Sequence, residues 1–299
     1  MILSLLGILI FLAPLCICLT FKDRRVGLVY ALSGVTLFHI TLAFVTQLLH
    51  IFTYLTIISS SLALAIASVV VTYKKAIRPL RIDINWFAVA TFAIIFFQLW
   101  SVHYRYTGSV STLVGQVPVT AVSQPYPYYS DEWVGVSLTQ YSIENHSLPS
   151  VNSLFANAPF TNLLLVFFSF IAELLLLFHL TPLFGYSILA LGMGFAICLL
   201  SYVFLRANGV HSLAAAIATV GVSYITNGTN VPGIWYLVPY MPALALLLIS
   251  FTALALHRPR AALIPAALSV LLYAPIIVLI TPAFLIWQLT NPLHHGHRA

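Results

Sequence analysis

Apolar residues run along this chain in long unbroken stretches and do not alternate with polar ones. The runs cover approximately 1–21, 26–48, 51–73, 86–104, 161–179, 184–205, 211–228, 235–256 and 261–281. A continuous run of about 20 apolar residues is what an α-helix needs to cross a bilayer. Strands of a membrane barrel would alternate with period two, and these runs do not. The pattern therefore predicts an all-α, polytopic helical membrane protein. Only Met1 and Ile2 precede the first apolar core, with no small-residue cleavage site after it, so this run reads as a retained span.

Composition supports the same class. Hydrophobic residues make up 61% of the chain and charged ones 6%, against about 25% charged in an ordinary soluble domain. The net charge of +6 does not point to nucleic acid, because the basic residues sit in short loops between apolar runs. Cys16, Cys18 and Cys198 all fall inside apolar runs without metal-ligand spacing, which argues against structural disulfides and a zinc site. No internal repeat or low-complexity tract is evident.

Charge then orients the spans. Lys22, Arg24 and Arg25, and next Lys74, Lys75, Arg78 and Arg81, mark two cytoplasmic loops, which places the N-terminus and the long loop 105–160 on the outer face. If 161–179 crossed fully, Arg206, Arg258 and Arg260 would lie outside. The economical solution is that 161–179 lies at the outer surface or re-enters. Eight spans and a surface or re-entrant helix result, both termini outside, with only Arg105 and Arg298 as outer basic residues. The long loop falls between spans four and five, and the chain divides into a three-span segment, 1–81, and a membrane module, 82–299.

The long loop is too aromatic to be an inert linker. Gln124-Pro125-Tyr126-Pro127-Tyr128-Tyr129 suits the headgroup region. Ser130 can cap a helix that begins Asp131-Glu132-Trp133 and runs to about Asn145, before Pro149. Asp131 and Glu132 could simply complement the helix dipole. Acidic residues are scarce, however: apart from Asp23 and Asp83, the chain has only Asp131, Glu132, Glu144 and Glu173. Their concentration suits proton transfer, cation coordination or recognition of sugar hydroxyls. Neighbouring carboxylates can act as a general base or share a divalent cation such as Mg or Mn, and the sequence does not choose between these. Glu144 reads as solvated, and Glu173 inside an apolar run as a functional candidate. Arg105 is a further accessory candidate. His103, His146 and His179 fall near the same interface without ligand spacing.

A second polar stretch, 226–236, shares the outer face. Asn227 and Asn230 offer amides, Gly228 and Gly233 allow close backbone approach, and Trp235 and Tyr236 can stack on a sugar or prenyl chain, or simply form an aromatic belt. Asn145-His146-Ser147 and Asn227-Gly228-Thr229 match the glycosylation acceptor pattern, which matters only in a secretory pathway.

Ser130-Asp131-Glu132-Trp133, followed by Tyr141-Ser142-Ile143-Glu144-Asn145 and Leu148-Pro149, resembles the first outer loop of the C-type glycosyltransferases. The resemblance covers roughly 86–281, with 161–179 in the place of the family's surface helix. It implies transfer of a sugar from a polyprenyl-phosphate donor in the cell envelope. Asp131, then Glu132, would serve as base or metal-binding residue, and Tyr129, Trp133, Asn227, Asn230, Trp235 and Tyr236 would line the substrate site. The chain departs from the family in its three extra leading spans and in the small number of spans after the loop. Two other readings are a carrier or flippase of a lipid-linked saccharide, and a non-catalytic subunit of a membrane assembly packing through Gly185, Gly192 and Gly194.

Overall fold

The computed structural model describes residues 2–75, 85–104, 106–112, 115–122, 130–152, 158–160, 164–225 and 234–290. Eleven helices account for most of them: α1 (Ile2–Leu12, continued as a 3-10 stretch Ala13–Thr20), α2 (Arg24–Leu48), α3 (Tyr54–Lys74), α4 (Trp86–Tyr104), α5 (Ser130–Asn145), α6 (Leu165–Leu177), α7 (Pro182–Ala207), α8 (Ser212–Ser223), α9 (Tyr240–Ala255), α10 (Pro259–Leu272) and α11 (Ile277–Thr290). Five are long and apolar enough to cross a membrane: Ile2–Thr20, Arg24–Leu48, Tyr54–Lys74, Trp86–His103 and Pro182–Ala207. The protein is thus a helical protein of membrane character.

Local chemistry sets the helix ends. Asp23 caps α2 by accepting from the Arg25 N–H at 3.0 Å, Thr53 caps α3 through the Thr56 N–H at 3.3 Å, and Pro182 occupies the first turn of α7. Several helices close with a left-handed residue that returns two N–H groups to the last turn. At Gly209 (φ 80°) this costs nothing, but His50, His179 and His257 take the same role at φ 53–57°.

Antiparallel packing gives the bundle two chemically distinct ends. Arg258 shares one groove with Lys22, Arg24 and Arg25. The C-terminal turn of α3 lies at that same end, since Cys16 Sγ meets Thr72 Oγ1 at 3.3 Å. There too, Phe204 near the end of α7 meets Phe251 of α9. This is the basic end. At the opposite, loop end lie the α2–α3 turn, helix α5, the start of α7, and the Tyr240–Tyr273 ring contact between α9 and the close of α10. The convergence of Arg258 with Lys22–Arg25 is the arrangement expected if 161–179 does not cross.

Helix α6 carries that inference, and it also corrects it. Its 13 residues span about 20 Å, short of the ~30 Å apolar layer. It is not laid on a surface, however, because ten of those residues are buried, from Phe167 through Leu175 and again Leu177. A helix that is apolar all round must be enclosed, and α6 is enclosed by α1, α2, α3, α5, α7 and α10. Its side-chain partners on α2 are Gln47 and His39, in the loop-end half of that helix, and just past its end Phe178 meets Phe11 of α1 and His179 meets Tyr54 of α3.

Three further features differ from the expectation or add to it. The run 261–281 is not one span. It breaks at Tyr273 (φ −152°, ψ 91°), ahead of Pro275, and the chain turns back as α11. Trp287 Nε1 donates to the Leu254 carbonyl at 3.1 Å, so α11 descends towards the basic end and the described chain does not finish at the loop end. Within loop 105–160, beside α5, lie two small antiparallel ribbons, β1 (Tyr106–Thr112) with β2 (Gly115–Val122), and β3 (Val151–Asn152) with β4 (Ala158–Pro159). Finally, helix α2 shares its core with the later helices, since its Val29 and Ile40 belong to the cluster built by α4–α7, α9 and α10.

Gly7 tests this packing. A Cβ there would collide with the Leu177 carbonyl, a backbone atom that cannot swing aside, whereas Gly34 of α2 has nothing within 4 Å. Gly7→Ala is expected to lower stability by about 1–3 kcal/mol through overpacking. Gly34→Ala should be neutral or gain up to about 1 kcal/mol of helix propensity. Thermal unfolding of the two variants in the same detergent reads the difference.

Candidate functional site

Most buried Ser and Thr hydroxyls bond a carbonyl of their own helix one turn earlier, so the buried polar groups that tie two distant segments together stand out. Three ties involve the elements singled out by sequence. On α2 and α6, His39 Nδ1 and Glu173 Oε1 are 2.8 Å apart, both side chains essentially inaccessible. Two turns along α2, Ser169 Oγ donates to Gln47 Oε1 at 2.9 Å and Gln47 Nε2 donates to the Ser169 carbonyl at 3.3 Å. On α4 and α8, Ser223 Oγ donates to Gln98 Oε1 at 2.6 Å, and Gln98 Nε2 returns a bond to the Ser223 carbonyl at 3.2 Å.

The third tie is made by Glu132. It is 2% exposed, and its Oε1 accepts from the Leu237 backbone N–H at 2.8 Å. The need for that acceptor follows from the chain ahead of α9. Helix α8 has only 12 residues, about 18 Å, and Ser223 at its end meets Gln98 part-way along α4. Ile234 then passes at the level of Gly194 in α7, where a Cβ would approach the Ile234 carbonyl to 2.7 Å. The chain next climbs without helix to Tyr240. Irregular backbone enclosed by apolar helices must find its own hydrogen-bond partners. Ile234 N–H uses the Ile225 carbonyl at 3.2 Å, Val238 N–H uses Tyr236 at 3.0 Å, and Leu237 N–H uses Glu132. Trp235 Nε1 is anchored on the Ser223 carbonyl at 2.9 Å.

Tyr186 belongs to the same neighbourhood. It is fully buried in the second turn of α7, within electrostatic reach of Glu132. Gly135 of α5 leaves room for its hydroxyl, which a Cβ would displace. That hydroxyl has no hydrogen-bond partner among the described residues. Sequence reasoning passed over Tyr186; the available signal was a phenol within an apolar run, immediately after a helix-starting Pro-Leu-Phe-Gly.

The expected site residues separate accordingly. Asp131 is exposed while its neighbour Glu132 is buried, so the two carboxylates leave α5 on different sides. Among the described residues no group of three or more His, Cys, Asp or Glu gathers. Trp133 is 41% exposed. Glu144 is exposed and bonded to Gln140 one turn earlier. Trp235 and Tyr236 are half-buried in the irregular stretch leading to Leu237, whose N–H bonds Glu132. Glu173 lies apart from them, with His39. His103 is buried at the end of α4, His146 Nδ1 is 2.7 Å from the Phe52 carbonyl, and His179 stacks near Tyr54. Arg105, Tyr129, Asn227 and Asn230 lie outside the described residues.

No family model, no curated protein and no solved structure matches this chain.

Removing the Glu132 acceptor tests the tie. Glu132→Ala leaves the Leu237 N–H buried and unpaired and should cost about 1–3 kcal/mol. Glu132→Gln keeps an acceptor oxygen and should recover most of the loss. Hydrogen exchange at the Leu237 amide should accelerate in the alanine variant and stay protected in the glutamine variant.

Proposed function

We propose that this chain is a membrane glycosyltransferase-like protein that takes a sugar from a polyprenyl-phosphate donor at the outer face. The observation that carries the reading is the docking of an acid-led loop helix, through Glu132, onto the irregular aromatic stretch that contains Trp235 and Tyr236. In this reading the loop end is the outer face and the basic end the cytoplasmic one, and α6 re-enters at the outer face without crossing. Asp131, exposed on the same helix turn, is the carboxylate free to accept a proton from an incoming hydroxyl. Glu132 is a positioning residue: its oxygen is engaged with backbone, which fixes α5 and so the place of Asp131. Trp133, Trp235 and Tyr236 supply aromatic faces for a sugar or a prenyl chain. Tyr186 offers a hydroxyl close by.

The interrupted chain between α8 and α9 favours a second reading, a carrier of lipid-linked saccharide, since broken helices mark substrate paths in transporters. Catalysis separates the two.

The test uses the full chain in membrane vesicles supplied with polyprenyl-phosphate-linked sugars and a mixture of hydroxyl acceptors. Asp131→Asn should reduce transfer by about 10²–10⁴-fold, the usual contribution of a general base, with no change in thermal midpoint. Glu132→Gln should lose less, and Glu132→Ala should lose activity together with stability. Unchanged transfer in Asp131→Asn would remove the catalytic assignment, and donor movement across the bilayer without transfer would favour the carrier.

A further inference from the structure

At the end remote from α5, the chain builds a charged groove that the proposed function does not use. Phe21, Lys22, Asp23, Arg24, Arg25, Val26 and Arg258 surround a space of about 550 Å³. Four of these side chains are cationic and one is acidic. The acid is already engaged: Asp23 caps α2 through the Arg25 N–H and lies 3.5 Å from the Arg25 guanidinium. Lys22, Arg24, Arg25 and Arg258 are all exposed, so their charge is presented outward.

Retention of basic residues at one membrane face explains a run such as Lys22–Arg25 by itself. It does not explain why Arg258, more than 230 residues later in the chain, completes the wall of the same groove. Its place is fixed by the turn between α9 and α10: His257 is left-handed (φ 55°), the Arg258 N–H bonds the Ala253 carbonyl at 2.9 Å, and its own carbonyl receives the Ala261 N–H at 3.0 Å. The groove also has an apolar side. Phe21 stacks on Tyr30 at 5.6 Å, and Tyr30 is exposed on the flank of α2, where the apolar part of the span begins.

We infer that this groove binds the phosphate of an anionic phospholipid, with Lys22, Arg24, Arg25 and Arg258 around the headgroup and an acyl chain lying past Phe21 and Tyr30. Clustered cations exposed beside apolar helix ends are the chemistry that recognises such headgroups, each cation adding roughly 1 kcal/mol near an anionic surface. A lipid suits the groove better than a soluble anion because the cations are contiguous with a lipid-exposed aromatic face. Bound there, the lipid joins the α1–α2 turn to the α9–α10 turn.

The experiment is native mass spectrometry of the full chain in detergent, offered phosphatidylglycerol and phosphatidylcholine of identical acyl composition. The intact protein should retain phosphatidylglycerol preferentially. Arg258→Gln should reduce that preference about fivefold, the equivalent of one lost cation contact, and Arg258→Lys should restore most of it. Arg206→Gln, which removes a cation at the same end of α7 but outside the groove, should leave it unchanged. Should Arg258→Gln fail to fold, Lys22→Gln gives the same reading. Equal retention of the two lipids by the intact protein overturns the inference. So does an equal effect of Arg206→Gln and Arg258→Gln, or complete displacement of the phosphatidylglycerol by excess inorganic phosphate, which would assign the groove to a soluble anion.

Discussion

An apolar surrounding offers no water to a polar group, and the architecture of this protein follows from that constraint. Each helix satisfies its own interior backbone, but a helix too short to cross, or a chain that leaves helical geometry among apolar neighbours, exposes groups that another segment must satisfy. The chain places its few interior polar side chains where those needs arise. Gln47 and Ser169 exchange two bonds, as do Gln98 and Ser223, and Glu132 answers the amide of Leu237. A hydrogen bond to a charged or buried partner is worth more here than on a wet surface, and its loss leaves a group with no alternative.

Seen through that constraint, α6 links the two parts of the molecule. It is too short to span, yet its burial by α1, α2, α3, α5 and α7 makes it the element on which the leading helices and the rest of the bundle meet. His39 with Glu173 and Gln47 with Ser169 set its depth against α2, and the close approach of Gly7 to Leu177 sets its distance from α1. Because α6 contacts α5 as well, these ties bear on the position of the acidic helix. The irregular stretch before α9 holds α5 from the other side. Asp131 is therefore presented on a helix fixed at two places.

Much of this was legible in sequence, for identifiable reasons. Unbroken apolar runs announced the five helices long enough to span but not that 211–228, 235–256 and 261–281 would form helices of only 12, 16 and 14 residues, while charge placement carried the parity argument that returned Arg258 to the side of Lys22–Arg25, which the shared groove matches. The helix from Ser130 to Asn145 was legible from its acidic first turn and from Pro149. The burial of α6 was not, because a short helix that is apolar all round reads alike whether lipid or protein covers it. The reversal at Tyr273 was hidden because Pro275 and Pro282 sit in uniformly apolar sequence, where proline can kink a helix as readily as end it. At the site, scarcity of acids pointed to Asp131 and Glu132 together. Which of two neighbours turns inward depends on the helix's rotation against α6 and α7, and a weakly amphipathic helix does not state its rotation in its sequence.

If α6 does not cross, as the proposed function requires, Asp131 and Arg258 lie on opposite faces of the membrane. Two variants, Asp131→Cys and Arg258→Cys, each with Cys16, Cys18 and Cys198 replaced by alanine, can be exposed in intact cells to a membrane-impermeant maleimide. The expected result is labelling at position 131 without permeabilisation and at position 258 only after it. Labelling of both positions from the same side would mean that α6 spans, and would contradict the account.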